Sequence, residues 1–474
     1  MKGWGAQTYL AILLMTWCLL ASAIARHFGK RFAIDDVHNW NKVRIIYLKG
    51  WPMYAALDKA ILNHAEAAFA FLEALVRAPS TVGQEQSAME AFVVEARSLG
   101  LHVTRLPFHK DLPEDDRAGI APQAHLVSPD RFQVLAATTP GDWDFKLLLN
   151  GHMDVVPAET PELWATPPFA PARRGGRLYG RGAADMKSGF AVGILALRAL
   201  QDVAPGLFAK GRLGFLAVVE EECSGNGTLR SITEHGITAA EVVVLEPSDL
   251  GLLAGGVGVL WLEIRVLAHS GHASAAATHA NAIDLGMRLV GGLRDWAAGV
   301  TLAEPEPSMA SNQSPYNVNL GKVQSGDWTS TAPSSAVFGV RVGFPRAWTL
   351  EKAEARVRAA ITAFVSADGG FAVPPVVNLS GLRAKGYLQE ADTALIRDLS
   401  AAHAQAHGAP PAVYTVGSTT DARFYVNDFG VPAVCYGAIG HDLHGIDESV
   451  DLQSIIDAAC TLARFLLLRF QAAP

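Results

Sequence analysis

The stretch 217-AVVEEECSGNG-227 sets Glu220, Glu221 and Glu222 side by side where an apolar run, Leu213–Val219, meets a glycine-rich turn. An apolar run of this length bounded by glycine reads as a buried strand. Adjacent carboxylates repel one another and resist burial. They therefore either stand in solvent on a loop or share a cation. Other apolar runs end in related groups. His152 and Asp154 lie two apart in 147-LLLNGHMDVVP-157, on one face of an extended chain. Asp185 sits in the turn of 178-LYGRGAADMKSG-189, where taken alone it reads as a helix N-cap. Glu246 ends the run 242-VVVLEPSD-249, and His441 and His444 lie in 436-YGAIGHDLHGIDES-449. Each has an ordinary reading as a solvated loop or strand-end residue. Together they are histidines and surplus carboxylates without cysteine, a set that suits zinc or a similar divalent ion. Five ligating side chains exceed the needs of one open catalytic zinc. They suit two ions sharing a carboxylate, whose roughly four positive charges offset the glutamates.

The elements that must position these groups alternate between strand-like and helix-like runs. Phe145–Asn150, Arg212–Val219, Val242–Leu245 and Pro432–Tyr436 read as strands, and Met186–Val203, Gly227–His235 and Leu452–Phe470 as helices. That alternation predicts an α/β fold, a doubly wound mixed sheet with helices on both faces. Such sheets bind ligands at the carboxyl ends of their strands, where the candidate residues fall. After the glycine-rich break at Gly251–Gly258 the texture changes. Val259–Leu267, Tyr316–Val323 and Ala336–Val342 read as strands, and Asn281–Ala297 and Thr349–Ser366 as helices, an α+β unit inserted into the first domain. Pro374-Pro375 marks a plausible return. The expected divisions are an extension over 1–52, a catalytic domain in two parts, 53–255 and 371–474, and an insertion over 256–370.

The 474 residues suffice for two or three domains. A net charge of −7 without a long basic run argues against a nucleic-acid partner. Four cysteines without a CxxC pair give no disulfide framework and suit a reducing, cytoplasmic compartment. The N-terminus reads in more than one way. Tyr9–Ala25 is apolar and ends in Ala23-Ile24-Ala25, like a signal segment with a cleavage site. It is short for a membrane span. Arg26, His27, Lys30 and Arg31 follow, and positive charge there opposes translocation. A membrane association is therefore not expected, and residues 1–52 read equally as an extension ahead of a domain starting at Met53. A periplasmic or anchored protein is the alternative if residues 9–25 are a signal segment.

The motifs occur in the order H-x-D, L-Y-G-R-G-x-x-D-M-K-x-G, E-E before x-x-G-x-G, E-P, and a late histidine before D-E. In that order they resemble the M20 metallopeptidase family, and within it the acetylornithine deacetylase and succinyl-diaminopimelate desuccinylase group. The resemblance runs from about Met53 to the C-terminus. It implies that Asp185 bridges two metal ions, with His152 and Glu246 completing one site and Glu222 and His444 the other. It implies Glu221 as general acid/base, Asp154 as support for His152, and often a cis peptide bond after Asp185. The ions would be zinc, with cobalt able to substitute. The family usually reads Asp-Glu-Glu where this chain has Glu-Glu-Glu. Gly227, five positions beyond Glu222, matches the family's glycine spacing and selects Glu221 as base and Glu222 as ligand. The reading with Glu220 and Glu221 in those roles stays open. Strand alternation would split Glu221 from Glu222, so the backbone must bend there.

The insertion corresponds to the family's lid or dimerisation domain. Within it 269-HSGHASAAATHANAI-283 resembles the segment whose histidine, here His272, reaches a substrate oxyanion across a homodimer; a surface-loop histidine is the other reading. Arg341 matches an arginine that grips a substrate carboxylate, a task for a bidentate guanidinium, and reads otherwise as structural. Ala276 replaces a common proline, and Gly437-Ala438-Ile439-Gly440 departs from a frequent G-P-G. The implied activity is hydrolysis of an N-acyl amino acid, or a related small N-acyl amine, by metal-activated water. A dipeptidase or carboxypeptidase is the nearest alternative, and a non-catalytic binding protein of the same fold a remote one.

Overall fold

The computed structural model describes residues 37–108, 115–120, 131–141, 143–206, 211–309 and 312–471, with side chains from residue 52 onward. The apolar segment Tyr9–Ala25 lies outside the described residues. No helix among those described is long and apolar enough to cross a membrane. The chain divides into two units, 1–56 and 57–474. In the first, residues 37–56 are helical, within the helix Val37–Arg77.

The larger unit is built on a nine-stranded mixed sheet. Four strands at its centre, Leu213–Val218, Leu147–His152, Val242–Val244 and Ala433–Cys435, lie side by side and run parallel. Their sequences are almost wholly apolar, Asn150 and His152 apart, because helices cover both faces. Leu213–Val218 is buried throughout. Antiparallel strands flank this centre: Phe132–Ala137 beside Leu213–Val218, then His102–Pro107 at the edge. On the other side Ala433–Cys435 meets Leu252–Gly256. Helix Lys187–Val203 packs on the sheet through an almost wholly apolar surface. Gly189 allows its close approach: a Cβ there would stand 2.1 Å from the Leu245 carbonyl, beside the strand end that carries Glu246. Phe92, Phe190 and Phe215 interlock at ring separations of 5.0–5.4 Å and pin two helices to the sheet.

The insertion forms a four-stranded antiparallel sheet, ordered Val318–Ser325, Ser335–Phe344, Gly258–Leu267 and Val376–Ala384. Helices Ala282–Ala303 and Leu350–Asp368 cover one face, where Leu285, Leu289, Val357 and Ile361 pack on Ile264, Phe338 and Val340. Its fourth strand comes from beyond residue 370 and beyond Pro374-Pro375, so this sheet is complete only at Ala384. A further small sheet joins Gly440–His441, Ser449–Asp451, Arg177–Tyr179 and Ala172–Arg174. Ser449 pairs with Tyr179 there, which brings the His444 loop against the turn that carries Asp185.

Away from the strand ends, helix Ala394–His407 buries His403 against Tyr436, whose hydroxyl lies 2.9 Å from His403 Nδ1. Burial, with the His407 ring beside it, pushes the His403 imidazole down to about 4 from an ordinary 6.5. The folded protein thus holds His403 neutral where the unfolded chain takes up a proton. Its contribution to stability is complete above about pH 6.5 and is lost as the pH falls toward 4. In melting curves across that window, His403→Gln is expected to lose less stability than the wild type. Parallel declines would show that His403 does not contribute.

Candidate metal centre

Each of the four parallel strands delivers a candidate ligand or base at or just past its C-terminal end, or feeds the loop that does. His152 closes its own strand and is 1% exposed. The strand beside it ends at Val218, the register partner of His152, and the chain then turns sharply. Glu220 adopts a left-handed φ of 65°, and the amides of Ser224 and Gly225 close on its carbonyl. This is the bend that strand alternation required, and Glu221 and Glu222 emerge on the site side of it. Glu246 follows the third strand, and the chain beyond the fourth leads to His444. The turn ahead of helix Lys187–Val203 supplies Asp185, and the peptide bond after it is cis.

Asp185 lies between the two histidines. Its Oδ1 is 3.1 Å from His152 Nε2 and its Oδ2 is 3.3 Å from His444 Nε2. Glu246 stands 3.7 Å from the same nitrogen of His152, and Glu222 3.1 Å from that of His444. His152, Asp185 and Glu222 present ligand atoms all within 4.8 Å of one another. Glu222 Oε1 is buried without a hydrogen-bond partner among the described residues, a state that raises the free energy unless a cation completes it. The donor set therefore fits divalent metal.

The electrostatics point the same way. Burial works against a charge on His152, but Glu246, Asp185 and Asp154 outweigh it and hold the ring protonated well above its usual range. His444 is likewise raised to about 11, its burial outweighed by Glu222 and Asp185. Glu246 is pushed up to about 8 by burial, while Asp185 is held below the usual carboxylate range by the two histidines despite its own burial.

Asp154 acts in two ways. Its carbonyl lies 2.9 Å from His152 Nδ1 and its carboxylate 3.7 Å, which orients Nε2 toward Asp185. The carboxylate also accepts the amides of Glu221 and Glu222, at 3.3 and 3.1 Å, and so fixes the glutamate turn. Glu221 is buried, and burial first, then Asp421, Glu246 and Glu222, raise its carboxyl well above the ordinary value against the pull of His152.

Glu220 corrects the expectation that cations at the site balance the whole triplet. Its carboxylate turns away and pairs with Arg131 at 2.7 Å, and it accepts the Ser224 hydroxyl at 2.8 Å. Arg131, 89 positions earlier, also pairs with Glu85 at 2.7 Å. His441 sits in the short strand paired with Ser449, and His444 is the loop histidine that meets Asp185.

The structure does not bring every candidate to this cluster. His272 is exposed in the insertion and contacts Ser274, whose amide and hydroxyl lie 3.1 and 2.8 Å from its Nδ1. Arg341 reaches from the insertion's sheet to the Gly417 carbonyl at 2.8 Å and also bonds Asn317. Burial lowers its guanidinium, and no carboxylate among the described residues is paired with it. Two residues that sequence reasoning left unassigned, Arg181 and Glu448, tie the Asp185 turn to the His444 loop. The only local signal for Glu448 was its place in the D-E pair after the late histidine.

A histidine–carboxylate cluster at the parallel strand ends of a mixed α/β sheet makes a candidate metal centre. Residues 148–468 match peptidase family M20/M25/M40, and the chain belongs to that family; it is a metal-dependent hydrolase of amide bonds. It is 30% identical over 339 residues to a succinyl-diaminopimelate desuccinylase of Methylobacterium sp. (strain 4-46), a match covering 69% of this chain and 81% of that protein. With the enzyme of the same name from Methylobacterium radiotolerans the identity is 29% over 399 residues, covering 82% and 93%. Among solved structures, the dipeptidase Dug1p of Saccharomyces cerevisiae superposes with a TM-score of 0.69 at 14% identity, covering 89% of this chain and 99% of that one. Human carnosine dipeptidase 1 gives 0.68 at 16%, covering 88% and 100%. At those identities the structural matches speak for the fold alone.

Proposed function

We propose that the chain is a two-metal deacylase that hydrolyses the amide of an N-acyl amino acid or a similar small N-acyl amine. The observation that carries this reading is Asp185, which turns one carboxylate oxygen toward each histidine while Glu246 and Glu222 stand beside opposite rings. His152, Asp185 and Glu246 would hold one ion, and Asp185, Glu222 and His444 the other, with zinc as the native metal and cobalt as a substitute. When bound, the ions lower the pKa of water and polarise the scissile carbonyl. Glu221 takes the proton of the attacking water and returns it to the leaving amine. Asp154 keeps His152 and the glutamate turn in place. Arg341, half-buried and without a carboxylate partner among the described residues, receives the substrate's carboxylate. His272, exposed on the insertion, serves the developing oxyanion once a homodimer partner or a closing insertion brings it to a site. The similarity to desuccinylases supports an acyl substrate over a dipeptide.

The test is a panel of N-acetyl, N-formyl and N-succinyl amino acids together with dipeptides, assayed on chelator-treated protein before and after zinc or cobalt is restored. Metal-dependent release of amine from an N-acyl class is the expected result. Turnover confined to dipeptides would replace the deacylase reading. Turnover that survives removal of all metal would overturn the two-metal reading.

A further inference from the structure

We propose that Glu448 is a positioning residue that sets Asp185 and His444 in register, an inference that rests on the two-metal reading above. Glu448 is 1% exposed and lies 263 positions from Asp185 in sequence. Its Oε2 accepts Arg181 Nη1 at 2.6 Å and the Gly182 amide at 3.1 Å. Its Oε1 accepts the amides of Ala184 and Asp185, both at 3.0 Å. The Glu448 carbonyl accepts the Gly180 amide at 2.9 Å. One residue thus fixes the turn on which Asp185 rides, and a left-handed glycine, Gly182 at φ 78°, lets that turn present its amides inward.

The same residue closes the loop that carries His444. Asp442, His444 and Asp447 take left-handed φ values of 54°, 61° and 56°. Each such conformation is strained for a residue other than glycine and persists only where the surroundings hold it. Three tethers do so here. Arg181 Nη2 donates to the His444 carbonyl at 3.2 Å, Asp447 accepts the Ala165 amide at 2.9 Å, and Glu448 anchors the loop's end. Arg181 is itself buried against Trp164, 5.2 Å from the ring. Asp185 and His444 belong to distant segments, yet through Glu448 and Arg181 their backbones form one unit. The carboxylate is the right group because every partner it meets is a donor.

Glu448→Gln keeps the shape but turns an amide N–H₂ toward either one N–H pair or the other. Cobalt(II) titrated into metal-free protein, in competition with a chelator, reads both dissociation constants, and melting of the metal-free protein reads the fold. The expected result is a 10–100-fold loss of affinity for both ions, the usual effect of removing a residue that orients ligands, with a far smaller change in melting. Wild-type affinities in the variant overturn the proposal. So does a lowered melting temperature with unchanged affinity in the folded fraction, which makes Glu448 a prop of the fold alone. If the wild type binds no cobalt, the two-metal reading falls and this inference with it. Should the glutamine variant not fold, Arg181→Lys decides: it retains the charge but loses the bond to the His444 carbonyl. About tenfold weaker binding of one ion is expected, and wild-type binding of both overturns the proposal.

Discussion

Replacing Glu221 by glutamine is expected to leave the metal content intact and to lower kcat by about 10²–10⁴-fold, the usual contribution of a positioned general base. The reasoning starts from the turn. Asp154 holds the Glu221 and Glu222 amides, so the backbone of the pair is fixed whatever the Glu221 side chain carries. Glu222 lies 3.1 Å from His444 and His152 lies 3.1 Å from Asp185, and neither contact involves Glu221. Burial raises the Glu221 carboxyl above the ordinary value, toward the range in which a carboxylate both accepts a proton from water and gives it back. Glutamine matches the size and cannot take the proton, so KM should move little while kcat falls. Glu222→Gln should fail in the other sense, losing metal from the His444 side. Near-wild-type turnover in Glu221→Gln, or loss of its metal, would show that the two roles are exchanged or misassigned. Glu220→Gln separates the remaining reading of the triplet: with its carboxylate on Arg131, its loss should weaken the fold more than the chemistry.

The contrast within this triplet shows what the sequence made legible. The parallel strands were readable because strands covered on both faces are unbroken apolar runs, and a charge at the end of such a run marks where it leaves the core. His152, Glu246, the glutamate triplet and the His441–His444 loop stand out by that rule, and Asp185 by its glycine-rich turn; the choice of Glu222 and His444 among them comes from the family resemblance, and the structure sets both beside Asp185 or its histidine neighbours. What was not readable is pairing at a distance. Nothing near Arg131 in sequence announces that it meets Glu85 and Glu220, and nothing in the D-E pair announces that Glu448 meets amides 263 positions away. The strand Phe132–Ala137 is not among those expected from sequence, though its residues from Gln133 on are buried. Pro374-Pro375 resembles a boundary, and the strand that completes the small sheet begins just after it, at Val376. His272 and Arg341 are residues whose proposed work lies with a partner or a substrate; within the chain His272 contacts only its neighbour Ser274, and Arg341 bonds Asn317 and the Gly417 carbonyl.

Removing the charge of Arg131 is expected to be the most destabilising single change at this end of the sheet. Arg131, Glu85 and Glu220 expose 5%, 2% and 3% of their side chains. The guanidinium donates to both carboxylates and lies 4.9 Å from the Phe108 ring. Breaking such a buried group from one side leaves uncompensated charge, which typically costs about 3–5 kcal/mol. Arg131→Met keeps most of the aliphatic contact with Phe108 and removes only the cation. Burial already outweighs the arginine at Glu85 and lifts its carboxyl above the ordinary value. Without the guanidinium the Glu85 carboxyl must rise further in the folded state, so the folded chain binds a proton that the unfolded chain has released. The deficit should therefore shrink as the pH falls toward 5 and widen toward 8. Urea unfolding of the wild type and Arg131→Met at both values reads this directly. Adding Glu85→Gln and Glu220→Gln to Arg131→Met should recover much of the loss, because the buried charges go with their partner. A deficit under about 1 kcal/mol, or one that does not vary with pH, would mean that solvent reaches these carboxylates and that the turn holding Glu221 and Glu222 is fixed by Asp154 alone.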